Sequence, residues 1–372
     1  MHLTAIAIRR LRNLERLDWQ PPAGLSLVWG DNGQGKTNLL EAIHLALTGR
    51  SFRTRHDEEM LPWGTTDEPT RVQASLIAGA GATRLSVAMG RGFKRVYADG
   101  QWLARLIEIW PRASVITFAP EDADLMKGPP AARRRFIDMV LARISPRYLD
   151  QLQRYQQALR RLNALYKTKP IDRDVRAEAE AYWAVLAESG ATLIDARRRW
   201  LAEAAPALAA RLAELGCPDQ AELGYDPDLG TEALDADEAG IARLFRGMLG
   251  ECYFDSRRLG TCQVGAHRDD FSLRLGGHDL RRYGSQGQHR LIALALKLES
   301  AAWIRRVSGE SPILLLDDFG SELDPARRAS VLAGLAGSMQ VIVTATSPKD
   351  FPAGSPFDAR MEIIHGKIAN DA

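Results

Sequence analysis

Cysteine is scarce: three in 372 residues. Cys217, Cys252 and Cys262 are odd in number and contain no C-x-x-C pair. They suggest neither a disulfide framework nor a zinc site, and a reducing cytoplasm is the expected setting. Long apolar runs are missing too. Residues 313–316 and 291–296 are typical of the longest, far short of the ~18–20 needed to span a bilayer. The N-terminus alternates (Leu3, Ile6, Ile8) before turning basic (Arg9, Arg10, Arg12), the reverse order of a secretory signal. No internal repeat or low-complexity tract is visible. With 45% apolar and 26% charged residues, wholesale disorder is excluded. The length suits two domains, or one large domain carrying an insertion.

A net charge of +2 excludes little, but its distribution is uneven. Residues 126–170 hold eleven Lys/Arg against two Asp, and residues 214–240 hold nine acids and no base. Such asymmetry fits either a nucleic-acid footprint or solvated helical faces.

Hydrophobic periodicity suggests short strands at 3–8 and 25–28. A glycine-rich turn follows, then a helix with Leu39, Leu40, Ile43 and Leu47 on one face and Gly49 as its stop. Strands at 71–78, 83–89, 95–97 and 102–103, the last two joined by a hairpin at Asp99-Gly100, and one at 113–118 form an expected antiparallel layer. From 133 to 215 good helix formers predominate, with breaks expected near Pro146, Pro170 and Pro206. A helix near 241–249, a strand at 271–275, a helix at 286–302, a buried strand at 313–316, a helix at 325–336 and a strand at 341–344 complete the pattern. The expected architecture is one α/β head built from both chain ends and interrupted by a helical arm, with boundaries at 1–125, 126–255 and 256–372.

Gly30-Asp31-Asn32-Gly33-Gln34-Gly35-Lys36-Thr37 matches G-x-x-x-x-G-K-[ST] between a strand and a helix. Such a loop curls backbone N–H groups around phosphate oxygens at a helix N-terminus. Lys36 is expected to reach the β/γ-phosphates and the Thr37 hydroxyl to take a Mg²⁺ position. The apolar run 312–316 ends in Asp317-Asp318, and acids at a buried strand's C-terminal end fall on the ligand side of an α/β sheet. Asp317 is the expected metal holder. Asp318 is expected to orient or deprotonate the attacking water. Ser285-Gln286-Gly287-Gln288 opens a helix 32 residues before Asp317, with Ser285 at the N-cap position.

That spacing resembles the signature motif of ABC-type ATPases. Tyr283–Gln288, Leu316–Asp324 and Gly33–Asn38 together resemble the RecF family of bacterial DNA replication and repair proteins. So do Ala119-Pro120-Glu121-Asp122, Arg133–Asp138 and Gly265–Asp270, in the family's order along nearly the whole chain. The resemblance implies an ABC-type P-loop ATPase head, with mixed sheet and antiparallel β-layer, carrying an inserted α-helical arm and akin to SMC heads. It implies ATP and Mg²⁺ as cofactors, with Gly30–Asn38, Asp317 and Asp318 on one chain facing Ser285–Gln288 of a second, and Asp324 near the seam. It also implies slow, DNA-stimulated ATP hydrolysis by an ATP-dependent homodimer. That dimer would clamp duplex DNA at gaps and single-strand/double-strand junctions, and promote RecA loading with RecR and RecO. Basic residues such as Arg133, Arg134 and Arg135 are candidates for phosphate contact. Two departures from the pattern stand out: Ala266 where a proline is expected, and Asp318 where ABC ATPases commonly carry Glu. No switch histidine follows 341–343; Thr344, Thr346 and Ser347 occupy that stretch. The nucleotide-binding subunit of a membrane transporter is the competing class, and the helical insertion and the 119–122 and 321–324 strings argue against it. At about 130 residues, the insertion is too short for a long SMC-type tether.

Overall fold

The computed structural model describes residues 1–64, 68–79, 81–169, 174–217, 219–319 and 325–371. The chain forms two compact units. One comprises Met1–Ala123, Glu214–Gly216 and Gln286–Ala372, and the other Asp124–Ala213 and Cys217–Ser285.

The first stretch of the first unit contains β1 (His2–Leu11), β2 (Leu14–Trp19), β3 (Leu25–Trp29), α1 (Lys36–Thr48), β4 (Thr70–Ala78), β5 (Gly81–Gly90), β6 (Phe93–Ala98), β7 (Gln101–Trp102) and β8 (Val115–Phe118). Six of these strands make an antiparallel sheet in the order β2-β1-β4-β5-β6-β7. Its period-two pattern is clear in β4, where Val72, Ala74 and Leu76 are buried and Arg71 and Gln73 exposed, as one-sided burial requires. Helix α1 packs against both this sheet and β8. Eleven of its thirteen residues are buried, so it is a core helix rather than an amphipathic surface one.

The second unit contains α2 (Asp124–Lys127), α3 (Pro130–Ile144), α4 (Pro146–Thr168), α5 (Arg176–Glu214), β9 (Ala221–Asp226), α6 (Glu232–Asp235), α7 (Glu238–Glu251), α8 (Tyr253–Leu259), β10 (Asp270–Leu275), β11 (His278–Asp279) and α9 (Leu280–Tyr283). Pro146 occupies the first turn of α4, and the Ser145 hydroxyl accepts the Tyr148 N–H at 3.1 Å, an N-terminal arrangement that proline tolerates. Pro206, expected as a break, instead lies inside the 39-residue α5. Burial of Trp200, Leu201, Ala204, Leu208 and Leu212 on both sides of it offsets the ~3 kcal/mol that an interior proline costs. Pro170 lies outside the described residues.

The chain then returns to the first unit with α10 (Gln286–Ser308), β12 (Ile313–Leu316), α11 (Pro325–Leu335), β13 (Val341–Ala345), β14 (Ala359–Ile364) and β15 (Lys367–Asp371). They complete a second six-stranded sheet, β15-β14-β3-β13-β12-β8. Its strands are parallel except for β15. Residues 113–118, assigned from sequence to the antiparallel layer, belong here. All four residues of β8 are buried, and β8 runs parallel to β12 in register from Val115–Ile313 to Phe118–Leu316.

Residues 256–285, assigned from sequence to the head, lie in the second unit. The reason is β10, which pairs along its whole length with β9, a six-residue strand none of whose residues is fully buried. All three cysteines are free. Among the described residues no helix is long and apolar enough to cross a membrane, and no acid, histidine or cysteine cluster could hold a metal by itself.

Candidate functional site

Strand β3 delivers the chain to Gly30, whose φ is +149°. A Cβ there would stand 2.4 Å from the Ile363 carbonyl oxygen of the neighbouring strand β14. Gly35 closes the loop at φ +115° as the N-cap of α1. These conformations and this close approach require residues without a Cβ. The loop is braced from outside. Asn13 Nδ2 donates to the Gly33 carbonyl at 3.0 Å and Asn38 Nδ2 to Asn13 Oδ1 at 2.8 Å. The His365 N–H donates to Gln34 Oε1 at 2.6 Å.

Lys36 is buried, its ammonium donating to the carbonyls of Gly30 at 2.6 Å and Asp31 at 2.9 Å. Burial pulls its pKa down, while Asp318, Asp317, Asp31 and Asp350 hold it up. Thr37, next along α1, donates its hydroxyl to Asp317 Oδ1 at 3.0 Å. Residues 280 positions apart thus meet where β12 ends beside the start of α1.

Asp317 receives a second hydroxyl, from Thr344 at 2.7 Å. The same Thr344 oxygen accepts the Asp318 N–H at 2.8 Å. Thr344 is fully buried in β13. Burial raises the Asp317 carboxyl pKa, against the hydrogen bonds from Thr344 and Thr37 that lower it. Asp318 adopts φ +48°, a left-handed conformation uncommon outside glycine and a form of strain that gathers at functional sites.

Because its pKa is raised on folding, an ionised Asp317 opposes the fold as pH climbs through that pKa. Asp317→Asn keeps an oxygen for both hydroxyls and removes the buried charge. The metal-free protein should therefore gain about 2 °C in Tm near neutral pH, and the gain should vanish on acidification. Differential scanning calorimetry across pH checks this.

Thr344 was only a candidate occupant of the switch stretch from sequence, with no role. The structure makes it the bridge between both acids, and its signal was a hydroxyl following the apolar run 341–343. Ser285, Gln286 and Gly287 are exposed and Gln288 is half-buried, at and just before the start of α10. The boundary between the two units falls between Ser285 and Gln286. Asp324, with 320–323, lies outside the described residues. Residues 30–38, 317 and 318 therefore converge, whereas the signature stands at the head of a separate helix.

The second unit explains the other motifs. Arg133 is 1% exposed and makes a bidentate ion pair with Asp270 at 2.6 and 2.9 Å. It also donates to the Met126 and Gly128 carbonyls at 2.9 and 2.7 Å. Arg134 is half-buried and donates to the Asp269 carbonyl at 2.5 Å. The Arg133 guanidinium is not open to a DNA phosphate, which corrects the sequence expectation for that residue; Arg135 is exposed. Arg197 bridges Asp138 at 2.8 Å and Asp269 at 2.9 Å, and Asp269 also accepts the Tyr225 hydroxyl and the Asp228 N–H. The His267–Asp270 stretch, without a role from sequence, supplies the acids of a buried ionic network.

Known proteins share this architecture. A family model described as an AAA domain matches residues 3–73. A DNA replication and repair protein RecF from Symbiobacterium thermophilum is 35% identical over 353 residues, covering 94% of this chain and 92% of the relative. One from Myxococcus xanthus is 33% identical over 370 residues, covering 98% and 96%. The solved recombination mediator protein RecF-ATP of the RecFOR pathway superposes with a TM-score of 0.90 at 30% identity, over 100% of this chain and 97% of that one. An Smc head bound to the C-winged helix domain of ScpA shares the fold at 13% identity and TM-score 0.60, over 100% and 97%. With an ATPase head of this topology and relatives matching at full length, the chain belongs to the RecF family of DNA replication and repair proteins.

Proposed function

We propose that this protein is an ATP-gated DNA clamp of recombinational repair and replication restart in the cytoplasm, acting in the RecFOR pathway that its solved relative serves. The observation that carries the reading is the meeting of Thr37 and Asp317 at 3.0 Å beside the glycine loop and Lys36. The residues present fit the cofactors: the loop offers backbone N–H groups at a helix start, and Thr37 and Asp317 offer the hard oxygens that Mg²⁺ prefers. Mg²⁺, when bound, neutralises charge on the transferring phosphate.

The chain's own groups do the rest. Residues 30–38 cradle the triphosphate. Lys36 exchanges its two loop carbonyls for phosphate oxygens. Asp318 orients the attacking water with a side chain one methylene shorter than Glu, so turnover is slow. The opposite side of the triphosphate needs donors too, and Ser285–Gln288 of the partner subunit supply them. ATP thus closes a homodimer on duplex DNA at gaps and single-strand/double-strand junctions, and hydrolysis reopens it. RecR and RecO are the partners with which the closed state promotes RecA loading.

ATP binding and hydrolysis test this reading, measured with and without duplex DNA. Slow hydrolysis that rises with DNA is expected. Lys36→Met should weaken ATP binding at least a hundredfold, about 2.8 kcal/mol. Hydrolysis indifferent to DNA would contradict the clamp.

A further inference from the structure

The outward face of the antiparallel sheet carries a charge pattern that the nucleotide site does not use. Cross-strand register sets Arg16 opposite Arg9, Arg9 opposite Arg71, Arg71 opposite Ala88 and Ala88 opposite Arg95. One row across β2, β1, β4, β5 and β6 thus holds four arginines and an alanine. At ~4.8 Å per strand the row is about 19 Å long. The adjacent row points inward as Leu17, Ile8, Val72, Val87 and Val96, all buried, so the packing of the other face fixes the row's orientation.

The arginines are accessible. Arg16, Arg71 and Arg95 are exposed and Arg9 is half-buried. Asp18 pairs with Arg9 at 2.7 Å and lies 3.5 Å from Arg16, offsetting one of those two charges. The side chains of Arg71 and Arg95 have no ion-pair or hydrogen-bond partner among the described residues. Asp18 relieves the repulsion expected between the facing Arg9 and Arg71, so Arg71 and Arg95 are the row's uncompensated charges. Two residues further along the strands, Gln73, Ser86, Tyr97 and Trp102 continue the outward face in register, and Trp102 is 63% exposed. Arg84 lies beyond them on β5, also exposed.

We propose that this sheet face binds the phosphate backbone of DNA. Guanidinium forks match phosphate bidentately, and a row about 19 Å long spans several phosphates of a duplex that carries a charge every ~1.7 Å of its axis. Charge presented in one row across five strands favours a duplex, whose charges are regularly spaced along a rigid axis, over a flexible acidic peptide. Contact is to the backbone, so affinity depends on salt and not on sequence. The inference rests on the DNA-clamp reading and gives it a surface, in place of the buried arginine at 133.

The test is fluorescence anisotropy with a labelled short duplex across a salt series, in the presence of ATP. It compares the wild type, the double variant Arg71→Ser/Arg95→Ser, and a charge-matched control, Arg305→Ser/Arg306→Ser, at the end of α10. All four positions are exposed, and ATP binding, measured on every protein, checks that each variant is folded. The sheet variant should lose about tenfold in affinity and flatten the log–log salt slope by about two. The control and all ATP affinities should match the wild type. Wild-type DNA binding that the sheet variant reproduces would overturn the surface and leave the clamp standing. A wild type that binds ATP but no DNA would overturn the clamp reading and this inference with it. Retained DNA binding alongside lost binding of poly-glutamate would reassign the face to an acidic protein partner.

Discussion

Ser285→Arg is expected to leave ATP affinity within about twofold of the wild type while weakening ATP-induced dimerisation at least a hundredfold, about 2.8 kcal/mol. Ser285 is exposed immediately before the first residue of α10, so the larger side chain has room in the monomer, and loss of a serine at a helix start costs only about 1 kcal/mol. A helix start presents unsatisfied N–H groups to an incoming anion. In the proposed dimer that anion is the triphosphate held by the other subunit. An arginine there fills the gap that the phosphate must enter, and desolvates a flexible cation on closure. Nucleotide affinity and the sedimentation-derived dimer constant, measured on the same preparation, separate the two effects. Coincident loss of both would place Ser285 in its own chain's nucleotide site.

Arg197→Leu is expected to destabilise the second unit by about 3–5 kcal/mol, because it removes the cation from a buried network and strands its acids. Arg197 Nη1 holds Asp269 at 2.9 Å and the Ala266 carbonyl at 2.6 Å, and Nη2 holds Asp138 at 2.8 Å. Asp269 is fully buried. Burial already raises its carboxyl pKa, with Arg197 the first opposing influence. Without Arg197 that pKa climbs further above the unfolded value. The penalty is then full above the folded pKa and shrinks as acidification protonates the carboxyl. Urea midpoints measured from about pH 8 to about pH 5 should show a deficit that narrows toward acid. A deficit independent of pH would assign the loss to packing alone.

Legibility in the sequence followed how local each determinant was. The glycine loop, the helix after it and the apolar strand ending in Asp317-Asp318 were readable because their chemistry is written in consecutive residues. The outward and inward alternation of β4 and β5 was readable for the same reason. β9 was not: Ala221, Leu223 and Tyr225 alternate with Glu222, Gly224 and Asp226, but the stretch is short, carries a glycine and buries none of its residues fully, and it becomes a strand through its pairing with β10. That pairing moves residues 256–285 out of the unit to which their position had assigned them. Arg133 and Arg134 showed as a basic run, but Asp270 and the Asp269 carbonyl, over a hundred residues away, decide what they do. Thr344 gains its place only because β13 lies beside β12. Pro206 was overridden by tertiary packing, as helix propensity often is.

The ATP-driven dimer is the centre of the account, and its most direct test is mass in solution by light scattering. The wild-type protein would be measured without nucleotide, with ATP and Mg²⁺, and with duplex DNA added. The account predicts a monomer that doubles in mass with ATP and takes up DNA in that state. A mass indifferent to ATP, in protein shown to have bound it, would contradict the composite site built from the loop of one subunit and the signature of the other.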